Sequence, residues 1–498
     1  MNFYRFWQRR NKKDSFDKEL LNADLFSQLT HLTGTATAGL TRAEIFEQAS
    51  RLPYYSSVYF KKVHFLAQDL NYDYSDSCRI VGEETEEVVP KEFLLRLSSA
   101  LIAGEDEVIF FAREAYVIGE IYGDEYVRQV ESLTKWSDAY MVLIISAATV
   151  ITITILSTII YPMNPFAVVA LNGLALLAVV AGAWILHRAA PKEVKTHSLP
   201  YSSREQVQAK VMFKSFLPIT GITCLLLALL GIDLGWAMIV AGVLILPPGF
   251  VIMRDDKKID KYDTDIGTFL RSLGGVTKAI GSTVTESLSR LNFRALGSLQ
   301  SGVNHLHVRL YMGIKSDLCW TRFVSETGSE LVNRSTQIFW DSVKVGGDPR
   351  EVGKAASSYA LKISLLRGKR KQVSNSFTWL CIIMHAVVAS LMVLVYQIML
   401  TFSTAFQSLQ AEGSATQLGN MPFKELFSGV HLNLLHIMMI LMIVVLTGAN
   451  AFAIKAVDGG HNLKIIFYLS IMLATSGAVL MLVPQIASGL FPDFAMAD

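Results

Sequence analysis

The run with the strongest chemical look is Gly347-Asp348-Pro349-Arg350-Glu351-Val352-Gly353-Lys354-Ala355. A phosphate-binding loop needs four residues between its glycines and a Ser or Thr after its lysine, so that backbone amides cradle the phosphates and the hydroxyl takes the magnesium. Here five residues separate Gly347 from Gly353 and Ala355 follows Lys354. The run is not read as a nucleotide site. Cys78, Cys224, Cys319 and Cys381 share no metal-ligand spacing and are read as reduced, buried thiols, with neither zinc nor disulfide implied. His305 and His307 lie one residue apart without a nearby carboxylate or Cys and are read as a structural pair. The sequence therefore offers no catalytic, cofactor-binding or metal residue, and the expectation is that the protein is not an enzyme.

What the sequence does offer is apolar length. Of 498 residues, 51% are hydrophobic and 18% charged, against about 25% charged in an average soluble protein. The 49 residues between Asp138 and Arg188 contain no Asp, Glu, Lys or Arg, and the stretches Lys371 to Glu412 and Lys464 to Asp493 are likewise uncharged inside. A charged side chain at mid-bilayer costs about 2.5–3.5 kcal/mol on insertion scales, and a span needs about 20 apolar residues. Seven spans follow: 139–161, 166–187, 215–232, 234–253, 377–402, 432–454 and 465–490. Pro162, Asn164 and Pro165 divide the first two, and Gly231, Ile232 and Asp233 divide the third from the fourth. That second pair either crosses fully or forms a re-entrant hairpin, with the same parity afterwards. Pro247-Pro248 is expected to break or kink the fourth helix.

Orientation follows from the basic residues. Linker 188–214 carries Arg188, Lys192, Lys195, Arg204, Lys210 and Lys214, whereas loop 403–431 has only Lys424 and the tail beyond Leu490 has none. The positive-inside rule puts the N-terminus in the cytoplasm and the C-terminus outside. Met1-Asn2 opens a polar stretch without an apolar h-region, so no cleaved signal peptide is expected. The resulting map is a cytoplasmic helical domain at 1–138 and a four-span membrane block at 139–253 containing the linker 188–214. A second cytoplasmic helical domain at 254–376, a three-span block at 377–490 and an external tail at 491–498 complete it.

Both soluble segments read as helical bundles. Apolar residues recur at three- and four-residue steps in Leu94, Leu97 and Leu101, and again in Val108, Phe111, Ala115 and Ile118. Residues 1–138 hold 16 basic and 23 acidic residues, and residues 255–375 hold 19 basic and 12 acidic. Opposite charge of that kind is either a pair of solvated surfaces or the means by which the two segments dock each other or different partners. The segments also resemble each other. Leu29-Thr30-His31-Leu32-Thr33-Gly34, with Ala38, Gly39, Thr41 and Glu44, is answered by Leu270-Arg271-Ser272-Leu273-Gly274-Gly275, with Ala279, Gly281, Thr283 and Glu286. Ala103-Gly104-Glu105-Asp106 is answered by Gly346-Gly347-Asp348-Pro349. Thr41 and Thr283 each stand three residues before a Glu, the spacing of a helix-opening capping box. The fold class expected is all-α, a polytopic membrane protein whose soluble domain is repeated.

This plan resembles the type II secretion F family, the inner-membrane platform proteins of type IV pilus-like machines. The residues that carry the resemblance are Ala38-Gly39-Leu40-Thr41-Arg42-Ala43-Glu44-Ile45, its looser copy at 279–287, and Leu331-Val332-Asn333-Arg334-Ser335. Phe339-Trp340-Asp341, Gly346-Gly347-Asp348-Pro349 and Leu365-Leu366-Arg367-Gly368-Lys369-Arg370 add to it. The extra spans are similar to the archaeal branch, which serves archaella and adhesive pili. The resemblance implies a platform without chemistry of its own, on which a hexameric cytoplasmic secretion ATPase acts so that pilin or archaellin subunits join a filament. It further implies a homodimer in the cell membrane, in contact with membrane lipids and with no nucleic-acid partner. The rival reading is a transporter or channel with cytoplasmic regulatory domains. Such a protein usually needs ionisable groups at membrane depth, and the spans offer only groups such as Asn172, Thr223, His385, Gln397, His436, Asn450 and Gln485. A transporter would also repeat its spans rather than its soluble domain.

Two basic groups flank the second soluble segment: Lys257, Lys258 and Lys261 after the fourth span, and Arg367, Lys369, Arg370 and Lys371 before the fifth. They serve as topology signals and lipid headgroup contacts, or as a collar for an acidic face of the ATPase. Gly347 and Asp348 form a second docking candidate, in a turn where Asp348 is expected to cap a helix that starts at Pro349. Loop 403–431 is expected to face outside, as a connector or a contact for the filament base. Residues 351–372 are expected to form a helix that runs into the fifth span after only the short stretch 373–376.

Overall fold

The structure is a computed structural model that describes residues 18–160, 164–411 and 432–490. Most of loop 403–431 and the tail 491–498 lie outside the described residues, as does part of the turn after the first span. The chain divides into two compact units. The first gathers the chain up to Arg128 with Pro191–Arg204 and Asp256–Lys369, and the second gathers Gln129–Ala190, Glu205–Asp255 and the chain from Arg370 onward.

The elements are almost all helical. In chain order they are α1 (Lys18–Ala36), α2 (Arg42–Arg51), α3 (Ser57–Gln68), α4 (Tyr74–Glu84), α5 (Val88–Ala103) and α6 (Glu107–Ile160). Then come α7 (Pro165–Ala189), α8 (Arg204–Leu229), α9 (Leu234–Ile280), α10 (Val284–Ser289), a 3-10 turn at Phe293–Leu299 and α11 (Gln300–Tyr311). The last are α12 (Ser316–Thr327), α13 (Glu330–Lys344), α14 (Pro349–Ala411), α15 (Leu432–Asp458) and α16 (Lys464–Leu490). Among the described residues the one β-type contact is an isolated antiparallel bridge between Thr196 and Ser329.

Caps in the sequence account for where the helices of the first unit start. Thr41 and Glu44 make a reciprocal capping box on α2, and the Thr283 hydroxyl accepts from the Glu286 amide on α10. Asp73 caps α4 and Ser329 caps α13. Asp106 Oδ1 accepts from the amides of Val108 and Ile109 at the head of α6, and Asp348 Oδ1 accepts from those of Arg350 and Glu351 at the head of α14. Thr41 and Thr283 stand 242 residues apart, as do Asp106 and Asp348. The buried face of α13 falls at helical spacing, with Leu331, Val332, Ser335, Ile338, Phe339 and Ser342 inside. One apolar cluster serves both soluble segments, with Leu25, Leu29, Phe93 and Phe110 from one and Phe269, Phe339 and Ala356 from the other.

In the second unit α15 packs against α7 and α16 around Tyr140, Cys381, Met442, Ile443, Ile454 and Met472. Among the described residues seven helices are long and apolar enough to cross a membrane, one at each of the seven spans read from the sequence, the third ending at Leu229 rather than 232. Several run well beyond a bilayer. α6, α9 and α14 continue from charged sequence into apolar sequence without an interruption, so the short break expected at 373–376 is absent. Nor does α9 break at Pro247-Pro248. Inside a helical bundle, neighbouring helices and small backbone adjustments satisfy the groups that a proline frees. Gly249 shows how near that neighbour is, since a Cβ there would lie 2.8 Å from Phe467 Cα.

α9 and α14 also cross at a glycine contact. A Cβ on Gly274 would lie 2.2 Å from the Pro349 carbonyl oxygen, while a Cβ on Gly275 would meet nothing within 4 Å. Gly274→Ala is therefore expected to destabilise the protein by about 1–3 kcal/mol through overpacking, and Gly275→Ala to change it by less than about 0.5 kcal/mol. Thermal unfolding of the two detergent-solubilised variants separates these outcomes; equal melting temperatures would contradict the crossing.

Candidate functional site

The basic residues singled out in the sequence do not form one exposed group. Lys257 and Lys261 on α9 and Lys369 on α14 are exposed. Lys258 is half-buried with its ammonium 5.8 Å above the Tyr262 ring, and Lys371 is half-buried. Arg367 points inward: Nη1 donates to Asp263 at 2.5 Å, Nη2 to the Val194 carbonyl at 2.9 Å, and Nε lies 3.9 Å from Glu193. Arg370 is 4% exposed and donates to the carbonyls of Val457 and Ala456 at 3.0 and 3.1 Å. Those carbonyls close the C-terminus of α15, where a cation is favoured by the helix dipole. Burial thus removes Arg367 and Arg370 from any exposed docking face.

The Gly347-Asp348 turn is a joint as well as a cap. Gly347 is buried, and a Cβ there would lie 2.9 Å from the Gly34 carbonyl oxygen at the end of α1. The Asp348 amide donates to Thr37 Oγ1 at 2.9 Å, and its carboxylate takes Lys278 Nζ at 2.7 Å. The Lys278 bond, with smaller help from the Arg350 and Glu351 amides, holds the Asp348 carboxyl below the usual aspartate range. The turn therefore joins the ends of α1, α9 and α13, and only the half-exposed Asp348 carboxylate is presented outward.

The charged centre of the first unit was not singled out by the sequence, although Arg334 lies within a quoted motif. Arg334 is largely buried, its side chain 15% exposed. Its Nη1 donates to Asp24 of α1 at 2.6 Å, its Nε to Glu330 at 3.0 Å, and its guanidinium lies 4.9 Å above the Tyr54 ring. Burial by itself would lower its pKa, but Asp24, Tyr359 and Glu330 raise it well above an ordinary arginine. Asp24 is completed by the Tyr55 amide at 3.0 Å. Tyr122, Tyr126, Glu193, Arg334, Tyr359 and Arg367 line a cavity of about 40 Å³ beside this pair.

Polar groups of the second unit form a different arrangement. Tyr140 OH donates to Asn450 Oδ1 at 2.8 Å, and Asn450 Nδ2 meets His385 Nδ1 at 3.1 Å. His385 Nε2 lies 2.7 Å from Ser476 Oγ, which lies 2.7 Å from Thr447 Oγ1, and Thr447 donates to the Ile443 carbonyl at 2.6 Å. With Asn450 assigned in this way, the imidazole carries its proton on Nε2 and donates to Ser476. A ring in that tautomer cannot take the serine proton, so this Ser–His contact is not a hydrolytic dyad. It ties α6, α14, α15 and α16 together.

Removing one partner of a buried charge pair typically costs 3–5 kcal/mol, because the other charge is left unpaired. Arg334→Leu is expected to lose about that much, and Asp24→Asn combined with Arg334→Leu to lose less than the two single changes together. Urea unfolding followed through tryptophan fluorescence measures both; a loss under about 1 kcal/mol for Arg334→Leu would contradict the geometry.

No family model matches the chain, and no solved structure matches it. Two curated proteins do, both named flagella accessory protein J. That of Methanocaldococcus jannaschii is 25% identical over 334 residues, which are 64% of this chain and 58% of the relative's length. That of Methanococcus voltae is 21% identical over 444 residues, 86% of this chain and 78% of the relative. The resemblance to the archaeal branch drawn from the motifs is thus met by named relatives, and the chain is similar to two proteins named flagella accessory protein J.

Proposed function

We propose that the chain is the membrane platform of an archaellum or a related archaeal type IV pilus-like machine, coupling a cytoplasmic secretion ATPase to the insertion of pilin or archaellin subunits. The observation that carries this reading is the alignment with two proteins named for a flagellar accessory role. Mechanics supports it. A stroke delivered to a soluble domain reaches a membrane helix only if the connection does not bend away, and α6, α9 and α14 contain both charged and apolar sequence without an interruption. The platform sits in the cell membrane with its N-terminus in the cytoplasm and its C-terminus outside, and it works as a homodimer. Its two soluble segments are copies of one helical domain, which accounts for caps recurring 242 residues apart at Thr41 and Thr283 and at Asp106 and Asp348. The ATPase docks on Lys257, Lys261 and Lys369, the exposed members of the basic collar, with Asp348 as a second contact.

Lys257→Glu, Lys261→Glu and Lys369→Glu together test the docking face. Co-purification of the cognate secretion ATPase is expected to fall at least tenfold while the membrane-inserted amount stays constant. Undiminished recovery of the ATPase would overturn the assignment of this face.

A further inference from the structure

The linker between α7 and α8 enters the first unit as a strap and is held there residue by residue. Glu193 accepts from Tyr126 OH at 2.9 Å and lies 3.9 Å from Arg367 Nε, and the Val194 carbonyl takes Arg367 Nη2 at 2.9 Å. Lys195 is 9% exposed, and its ammonium lies 2.8 Å from Asp256 and 2.5 Å from Asp260 on α9. The Lys195 carbonyl accepts the first amide of α13, from Glu330, at 3.0 Å. That helix-end donor has no partner within its own helix. Thr196 bridges to Ser329, and the His197 amide donates to the Gly328 carbonyl at 3.4 Å. Leu199 packs against the apolar core.

The composition of these contacts decides how firmly they hold. Pro191, Lys195 and His197 are buried and Leu199 packs on the apolar core, while Lys192, Val194, Ser198 and Pro200 are exposed. The polar contacts named above are ion pairs, side-chain hydrogen bonds and backbone hydrogen bonds. Burial alone would lower the Lys195 pKa, but Asp256 and Asp260 overrule it and raise it above an ordinary lysine, so the ammonium stays charged when enclosed. An enclosed ion pair gains attraction and loses hydration in similar measure, and opening returns that hydration to every charge involved. A segment held in this way opens at a smaller cost than helices held by an apolar core.

We propose that residues 191–199 are a clasp that opens without unfolding the first unit. Closed, it fastens the chain between α7 and α8 to α6, α9, α13 and α14; open, it releases that chain. This inference stands apart from the docking face and from the identity of any partner.

Hydrogen exchange of the full-length protein in nanodiscs tests it. In the unmodified protein the His197 amide is expected to exchange at least tenfold faster than the amides of Val332 and Phe339 in α13, at a rate nearly independent of low denaturant. Lys195→Met is expected to raise exchange at 195–199 a further tenfold and leave α13 unchanged, and Lys195→Arg to restore the unmodified rates within about threefold. Equal rates for His197 and α13 in the unmodified protein would show that the strap opens only with global unfolding, and would overturn the clasp. Exchange at 195–199 indifferent to Lys195→Met would overturn it as well, because the ion pairs would then not be what closes it.

Discussion

A guanidinium taken out of water must find an anion and acceptors for its remaining N–H groups, and the first unit is organised around one that does. Arg334 of α13 reaches Asp24 of α1, 310 residues away in sequence, and stacks over Tyr54 in the turn between α2 and α3. Three pieces of chain must be in place before that charge is acceptable in the interior. The same requirement gives physical content to the opposite charges of the two soluble segments. Glu120 with Lys362, like Asp24 with Arg334, pairs an acid from the first segment with a base from the second. The half-exposed Glu120 pair contributes under about 1 kcal/mol. The enclosed pair specifies which surfaces meet, since a shifted register would leave Arg334 buried without its partner.

Much of this was legible in the sequence where a local rule sufficed. Uncharged runs of membrane length identified the spans because charge at mid-bilayer is so costly. Asp348 before Pro349 announced the start of α14, since a cap and a first-turn proline act through their nearest neighbours. At the proline pair 247–248 the helix does not break, because the rule against interior prolines assumes an isolated helix, and α9 is supported by a helix in contact at Gly249. Asp24, Lys195 and Asp263 were not legible as site residues, because their partners are far away in the chain.

The basic run before the fifth span is the more instructive miss. Read as a line of letters, Arg367, Lys369, Arg370 and Lys371 look alike. Read as a helix, Ile363, Leu366, Arg370 and Phe377 extend one buried stripe, with Arg367 beside it, and Lys369 lies on the exposed flank. The helical period that located the core of α13 thus also separates the inward Arg367 and Arg370 from the outward Lys369 in α14. Charge type marks what a residue can do, and its position on the helix marks whether a partner can reach it.

Both units bury charge, Arg370 and the Lys464–Asp458 pair in the second and Arg334 and Lys195 in the first, but among the spans one buried network is neutral throughout. The second unit uses a neutral chain from Tyr140 through Asn450, His385 and Ser476 to Thr447. Each such link is worth about 0.6 kcal/mol in a membrane protein, yet hydrocarbon offers the separated groups no alternative partner. Opening the chain would leave several groups bare at once. The first unit uses charges, which water welcomes as soon as they part. A polar contact that opens and closes is therefore better placed at Lys195 than at His385.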